Sequence, residues 1–226
     1  MEPITQANQA KSIRVPLFPL PNVVLFPGAV LPLHIFEERY KTMTADALAG
    51  KSLVAMALLR PGWEKDYYGK PAIEPVVCIG RIASSERLDD GRYNFLLHGE
   101  SRARITGEEE STPYRIAQLQ TLDDLPAPES DLAEKRRRFQ QMFDSEPIAS
   151  LPSIALLKKI IDSPMPTGMV ADLIAHYALS QIPLKQSLLA ETDVLKRVCR
   201  VISALDAAMS VMELASRGAS QRGNYN

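Results

Sequence analysis

Ser101 lies in Gly99-Glu-Ser-Arg-Ala103, one residue short of the G-x-S-x-G turn that presents a nucleophilic serine in many hydrolases. That turn must join a strand to a helix. Here the flanking residues alternate as a continuing strand does, so Ser101 is not expected to be a nucleophile. Its base is also missing: the three histidines, His34, His98 and His176, are each isolated in sequence, and lone histidines are more often structural. Cys78 and Cys199 sit within apolar runs, where a thiol packs as a small hydrophobe, and they have no metal-ligand spacing. No G-x-x-x-x-G-K-[ST] loop is present to cradle nucleotide phosphates. The expectation is a protein with no catalytic residue, no metal site and no cofactor.

Charge gives a second set of candidates. Lys135-Arg-Arg-Arg138 has the composition that meets phosphates, but between Glu129 and Asp144 four acidic residues balance these four cations, as on a solvated helix face. Net charge is -1, from 26 basic and 27 acidic residues, which provides no general attraction to nucleic acid or anionic lipid. Glu108-Glu-Glu110 reads as a charged loop. Arg102 and Arg104 are expected to share a strand face with His98, opposite Tyr93 and Phe95, and to serve in structural ion pairs.

The strongest binding candidate is the loop Arg60-Pro-Gly-Trp-Glu-Lys-Asp-Tyr-Tyr-Gly-Lys-Pro71. It holds the only Trp and two of the seven Tyr in an otherwise polar stretch. Rings of this kind provide large contact area at small entropic cost. Trp63, Tyr67 and Tyr68 form either a peptide-binding surface or a lid folded onto the core, and the sequence leaves both open.

The elements that position these residues change character midway. Up to about Leu122 short apolar runs are punctuated by Pro and Gly, the pattern of strands and turns. Strands are expected at Ile13 to Phe18, Ala29 to Ile35, Ser52 to Leu59 and Tyr114 to Leu122, with Pro19 to Gly28 as a loop and a helix from Glu37 to Leu48. Val76 to Leu88 and Arg92 to Ile105 flank Asp89-Asp90-Gly91, a tight-turn signal, and form a hairpin. After Pro128 apolar spacing moves to three and four, and helices are expected at Ser130 to Phe143, Ser153 to Ile161, Thr167 to Leu179 and Asp193 to Ser216, with Arg217-Gly218 as a stop. Leu195, Val198, Ile202, Leu205, Met209 and Met212 form one stripe, read as internal packing in preference to a dimer seam.

The segment from Val15 to Tyr40, VPLFPLPNVVLFPGAVLPLHIFEERY, resembles the opening of the N-terminal domain of Lon protease. Cys78-Ile-Gly-Arg-Ile82, the run Asp90 to Ile105, Ala171 to His176 and Lys185 to Val194 are similar to later parts of that domain, in the same order. The resemblance implies an α+β fold, a PUA-like β-barrel over 1–125 and a helical bundle over 126–217, while the small polar residues of 218–226 are expected to form a disordered tail. It also implies a non-catalytic module that binds unfolded or hydrophobic protein segments, on its own or for a protease or chaperone. Phe36, inside the resembling segment, joins Trp63, Tyr67 and Tyr68 as an expected peptide-binding residue. The alternative is an RNA-binding module of the PUA-like class, although no specific nucleic-acid partner is expected. The polar Met1 to Ser12 and the lack of a long apolar run point to a cytoplasmic protein with no membrane partner. Oligomeric state is not encoded in any of these signals.

Overall fold

The computed structural model describes residues 12–109, 113–145 and 154–222. The chain divides into two compact units, Met1–Asp123 and Asp124–Asn226.

The first unit is a six-stranded mixed sheet with one helix. Its strands are β1 (Ser12–Leu20), β2 (Val30–Ile35), β3 (Leu53–Leu58), β4 (Val76–Arg87), β5 (Tyr93–Glu109) and β6 (Ile116–Thr121). They run in the order β2-β5-β4-β3-β1-β6, and β6 pairs again with β5, so five strands make a closed circuit of pairings. Among these strands, only β1 and β3 pair in parallel. Inside the circuit Val15, Leu17, Ala55, Ala57, Val77, Ile79, Ala103, Ala117 and Leu119 form one buried cluster. Small side chains at four of these positions suit an interior onto which five strands converge.

The expected hairpin is present. Gly91, with φ of 81°, makes the turn, and the Arg92 N–H donates to Asp90 Oδ1 at 3.1 Å. Helix α1 (Glu38–Ala49) ends where the Gly50 N–H donates back to the Asp46 and Ala47 carbonyls. One boundary differs from expectation, because Pro19 lies inside β1, opposite Ala57. Over Leu17–Leu20 the register pairs β1 with β3 alone, so a missing N–H on its other side costs no ladder bond.

Two glycines make the circuit possible. On one edge β5 pairs with β4, and on the other with β2 over Tyr93–His98 and then with β6 over Ala103–Glu109. At the changeover Gly99 faces Gly80 beside a register shift. The loop after β1 is tied there, with the Gly99 N–H donating to Ala29 O and the Gly28 N–H to Gly99 O, both at 2.8 Å.

The second unit contains α2 (Glu129–Asp144), α3 (Ile154–Asp162), α4 (Thr167–Ala178), α5 (Ile182–Leu189) and α6 (Val194–Arg222). Helix α5 was not expected. It has eight residues, and Pro183 stands in its first turn, where a missing N–H is harmless. Glu129 caps α4 from outside, accepting from the Thr167 N–H at 2.9 Å and hydroxyl at 2.7 Å. The apolar stripe of α6 is also rotated. Val194, Val198, Val201 and Leu205 are buried, whereas Leu195 and Met212 are exposed. The helix runs past the stop expected at Gly218, as far as Arg222, and 223–226 lie outside the described residues.

A Cβ at position 99 would sit 2.1 Å from the Phe26 carbonyl oxygen, a backbone atom that cannot swing away. Gly99→Ala should therefore destabilise the protein by roughly 1–3 kcal/mol in chemical denaturation. Gly107→Ala, with open space around the added methyl, should change stability by less than about 0.5 kcal/mol.

Candidate functional site

The aromatic loop is held at its neck and its middle. Leu59 bridges to Ile73, the Arg60 N–H donates to Ala72 O at 2.9 Å, and the Glu74 N–H to Leu58 O at 2.8 Å. Gly62, with φ of 88°, then turns the chain into a short 3-10 segment, Trp63–Asp66. The three rings form a chain of contacts: Trp63 to Tyr67 at 5.5 Å, and Tyr67 to Tyr68 at 5.1 Å, edge to face. Tyr67 is the anchor. Its hydroxyl donates to Glu37 Oε1 at 2.6 Å, and its carbonyl accepts from Arg39 Nη1 at 3.3 Å. Arg39 lies against the Tyr40 ring at 4.6 Å and the Tyr67 ring at 4.9 Å, and its Nε donates to Glu37. The loop is thus fastened to the start of α1. Tyr68 is left 90% exposed.

Beside these rings lies a cavity of about 270 Å³. Tyr40, Tyr67, Tyr68 and Tyr114 line it together with Pro19, Pro71 and Pro113. Its cations are Arg39, Lys70 and Arg115, and among the described residues no Asp or Glu lines it. Arg115 forks onto Glu108 at 2.7 and 2.8 Å and donates to Pro71 O, which fixes the far wall. Local spacing in the sequence gave no sign of Arg39, Tyr40, Tyr114 or Arg115, because they reach the cavity from α1 and the approach to β6.

The phenols here hold their protons tightly. Burial pushes Tyr40 up to about 12, and burial with a 2.7 Å hydrogen bond to Asp46 does the same for Tyr114. Tyr67 is raised chiefly by its bond to Glu37.

Of the four expected binding residues, Tyr67 and Tyr68 line the cavity and Trp63 backs Tyr67. Phe36 is 63% exposed, but its ring faces His34 at 6.3 Å and does not line this cavity. A second, more open hollow of about 460 Å³ lies along β2, β4 and β5, beside His34, Asn94 and Leu96.

The other candidates take structural places. Ser101 is mid-strand in β5, opposite Ile79, with no helix following it. His34 is bonded to Asn94 at 2.7 Å and contacts Arg92, and the His176 ring meets Tyr177 at 4.7 Å. Arg102 is only 4% exposed while Arg104 and His98 are exposed, so the three residues expected on one strand face differ in burial. Within the basic run, Arg136 donates to the carbonyls of Ile160, Ile161, Ser163 and Met165, and Arg138 pairs with Asp206 at 2.6 Å. Half of that run's charge is therefore engaged inside the second unit. Among the described residues no three His, Cys, Asp or Glu converge as a metal site, and no helix is long and apolar enough to cross a membrane.

Fold and site together define a mixed-sheet and helix module with a small ring-lined pocket. Residues 14–207 match the family model of the ATP-dependent protease La (LON) substrate-binding domain, and the chain belongs to that family. It is 26% identical over 212 residues to a Lon protease of Desulfosudis oleivorans, and 28% over 218 residues to one of Paraburkholderia phytofirmans. These alignments cover 92% and 93% of this chain but 25% and 26% of the relatives, so the chain spans about a quarter of their length. The fold matches the N-terminal domain of a Mycobacterium avium complex Lon protease, with a TM-score of 0.66 at 16% identity over 86% of this chain and 98% of that one. It also matches a Lon N-terminal domain protein from Xanthomonas campestris, with a TM-score of 0.60 at 22% identity over 84% and 98%.

Because the folded pKa of Tyr40 and of Tyr114 lies above the ordinary 10.0, the stability these phenols contribute is complete below pH 10 and is lost as pH rises through about 12. Spectrophotometric titration should show tyrosines ionising late, and Tyr40→Phe should remove part of that late fraction. Stability should also fall less steeply above pH 10 in Tyr40→Phe than in the wild type.

Proposed function

We propose that this chain is a non-catalytic module that holds exposed hydrophobic segments of unfolded protein chains against the Tyr67–Tyr68 surface and its pocket. The closed circuit of pairings is read as a PUA-like β-barrel and α2 to α6 as the helical bundle of the same family. The observation that carries the functional reading is Tyr68: a ring 90% exposed beside an apolar cavity, on a loop that Tyr67 and Glu37 hold in place. Exposing a large ring in water is unfavourable, and holding it rigidly lowers the entropy lost on binding. The cavity, of about 270 Å³, is slightly below ligand-pocket sizes of about 300–1,000 Å³ and suits one large side chain. Family membership supports the reading, since the family is described as substrate-binding. The partners are unfolded or hydrophobic protein segments in the cytoplasm, delivered to a protease or chaperone. Trp63 supports Tyr67, and Phe36 extends the apolar surface beyond the pocket.

Fluorescence anisotropy with a labelled, unstructured peptide rich in Phe and Leu tests this. Tyr68→Ala should weaken binding severalfold while changing stability by less than about 0.5 kcal/mol, as expected of an exposed anchor. Trp63→Ala should weaken binding at a stability cost below about 1 kcal/mol. Unchanged affinity in both variants would place peptide binding elsewhere. The purified chain should hydrolyse neither ATP nor casein, and turnover that survives rigorous purification would contradict a purely binding role.

A further inference from the structure

Strand β4 outruns its neighbour β3, which pairs with it only from Leu53 opposite Arg81 to Met56 opposite Cys78. Just ahead of β3, Ser52 turns the chain aside with φ of 56°, and its carbonyl accepts the last bond from β4, from the Ile82 N–H at 2.8 Å. Beyond that bond Ala83 is the extra residue of a bulge, and Ser84 to Arg87 pair with β5 alone. All of Ala83 to Arg87 are exposed, without the alternation that a covering layer would impose. Among the described residues this edge of β4 is therefore bare.

The hairpin turn sets which backbone groups face outward. The Leu88 N–H donates to Arg92 O at 2.8 Å, so the next bonded pairs of the ladder are Glu86 with Asn94 and Ser84 with Leu96. Ser85 and Arg87 then direct their N–H and C=O away from β5. Free edges are commonly blunted by proline or charge, and β2, on the other side of β5, carries Pro32 at its centre. β4 has no proline in this stretch, and its charges are drawn back over β5. Asn94 Nδ2 donates to Glu86 Oε2 at 3.5 Å, and the Arg87 guanidinium lies 5.9 Å from the Tyr93 ring centre. The small Ser84 and Ser85 border the hollow of about 460 Å³, whose apolar lining includes Leu33, Phe95 and Leu96.

We propose that the Ser84 to Arg87 edge of β4 takes up an extended segment of an unfolded polypeptide as an added strand, held by the backbone of Ser85 and Arg87, with an apolar side chain reaching over Ser84 into the hollow. The alternation of donor and acceptor along the edge is matched by another extended backbone, and an unfolded chain has such backbone free. The added strand continues along the same edge of β4 that β3 already occupies. The partner is of the class proposed for the Tyr67–Tyr68 surface, but the site is separate and does not depend on it.

The test uses an amidated, fluorescein-labelled decapeptide in which Thr alternates with Phe and Leu, and two twins of it, one N-methylated at the Thr residues and the other at the Phe and Leu residues. Successive N–H groups of a strand point to opposite edges, so each twin blocks one edge of the peptide. One twin should bind about tenfold more weakly than the other, because only one edge of the peptide meets β4. With the parent peptide at saturation, the Ser85 and Arg87 amides should exchange with solvent about tenfold more slowly, while the Glu86 amide, already bonded to β5, should change little. Ser85→Pro, which removes an outward N–H from a position that gives β5 no bond, should weaken the parent peptide about fivefold. Equal affinity of the two twins, or unchanged exchange at Ser85 and Arg87, overturns the added strand. Binding that survives Ser85→Pro and is lost in Tyr68→Ala also overturns it and leaves the ring surface standing. Failure of the parent peptide to bind overturns both readings.

Discussion

The first unit depends on one strand serving three partners. β5 keeps β4 on one edge for most of its length and exchanges β2 for β6 on the other, so the circuit closes only if its backbone bends between His98 and Ala103. Gly99 and Gly80, facing each other at a register shift, allow that bend, because a Cβ on either would strike Phe26 or Leu97. Closure has a local consequence at the far side of the circuit. β1 and β3 run parallel and end together at the Leu20–Leu58 pair, while β6 enters antiparallel with Arg115 O accepting from the Leu17 N–H. Three strand ends therefore meet. Pro19, Leu59 and Arg115 become the walls of the pocket, and the aromatic loop, which leaves from the end of β3, can hang over it.

The second unit has its own buried anchor. Arg197 is fully buried and forks onto Asp124, at 2.5 and 3.0 Å, while donating to the Glu191 carbonyl at 2.6 Å. Its Nε lies 3.0 Å from buried Asp172, near enough for an ion pair but too poorly aimed for a hydrogen bond. Burying charges is costly unless they are paired, so α4, α6 and the segment before α2 are restricted to arrangements that bring these groups together. Such a constraint favours one packing of α4 against α6 over its slipped neighbours more than it adds raw stability.

Most of the fold was legible where the signal was local. The Asp90-Gly91 turn, the Tyr93-Phe95-Leu97 alternation, the stop at Gly50 and the shift to helical spacing after Pro128 each depend on residues near in sequence. The misses were decided by distant partners. Pro19 is tolerated in β1 because its other edge has no ladder there, and Arg102 is buried although its spacing matches that of exposed Arg104. The site was half legible for the same reason. Trp63, Tyr67 and Tyr68 stood out as rings in a polar loop, but the cavity they border also needs Tyr40 from α1 and Tyr114 and Arg115 from the approach to β6, which only the closed circuit brings together.

A single tryptophan gives the account its most direct test. Trp63 touches Tyr67, which lines the pocket, and it is the only Trp in the chain. Titration with a Phe- and Leu-rich peptide lacking Trp and Tyr should shift Trp63 emission, with saturation at the same concentration as the calorimetric binding isotherm. A complete isotherm with Trp63 emission unchanged would show that the aromatic loop is not where the peptide is held.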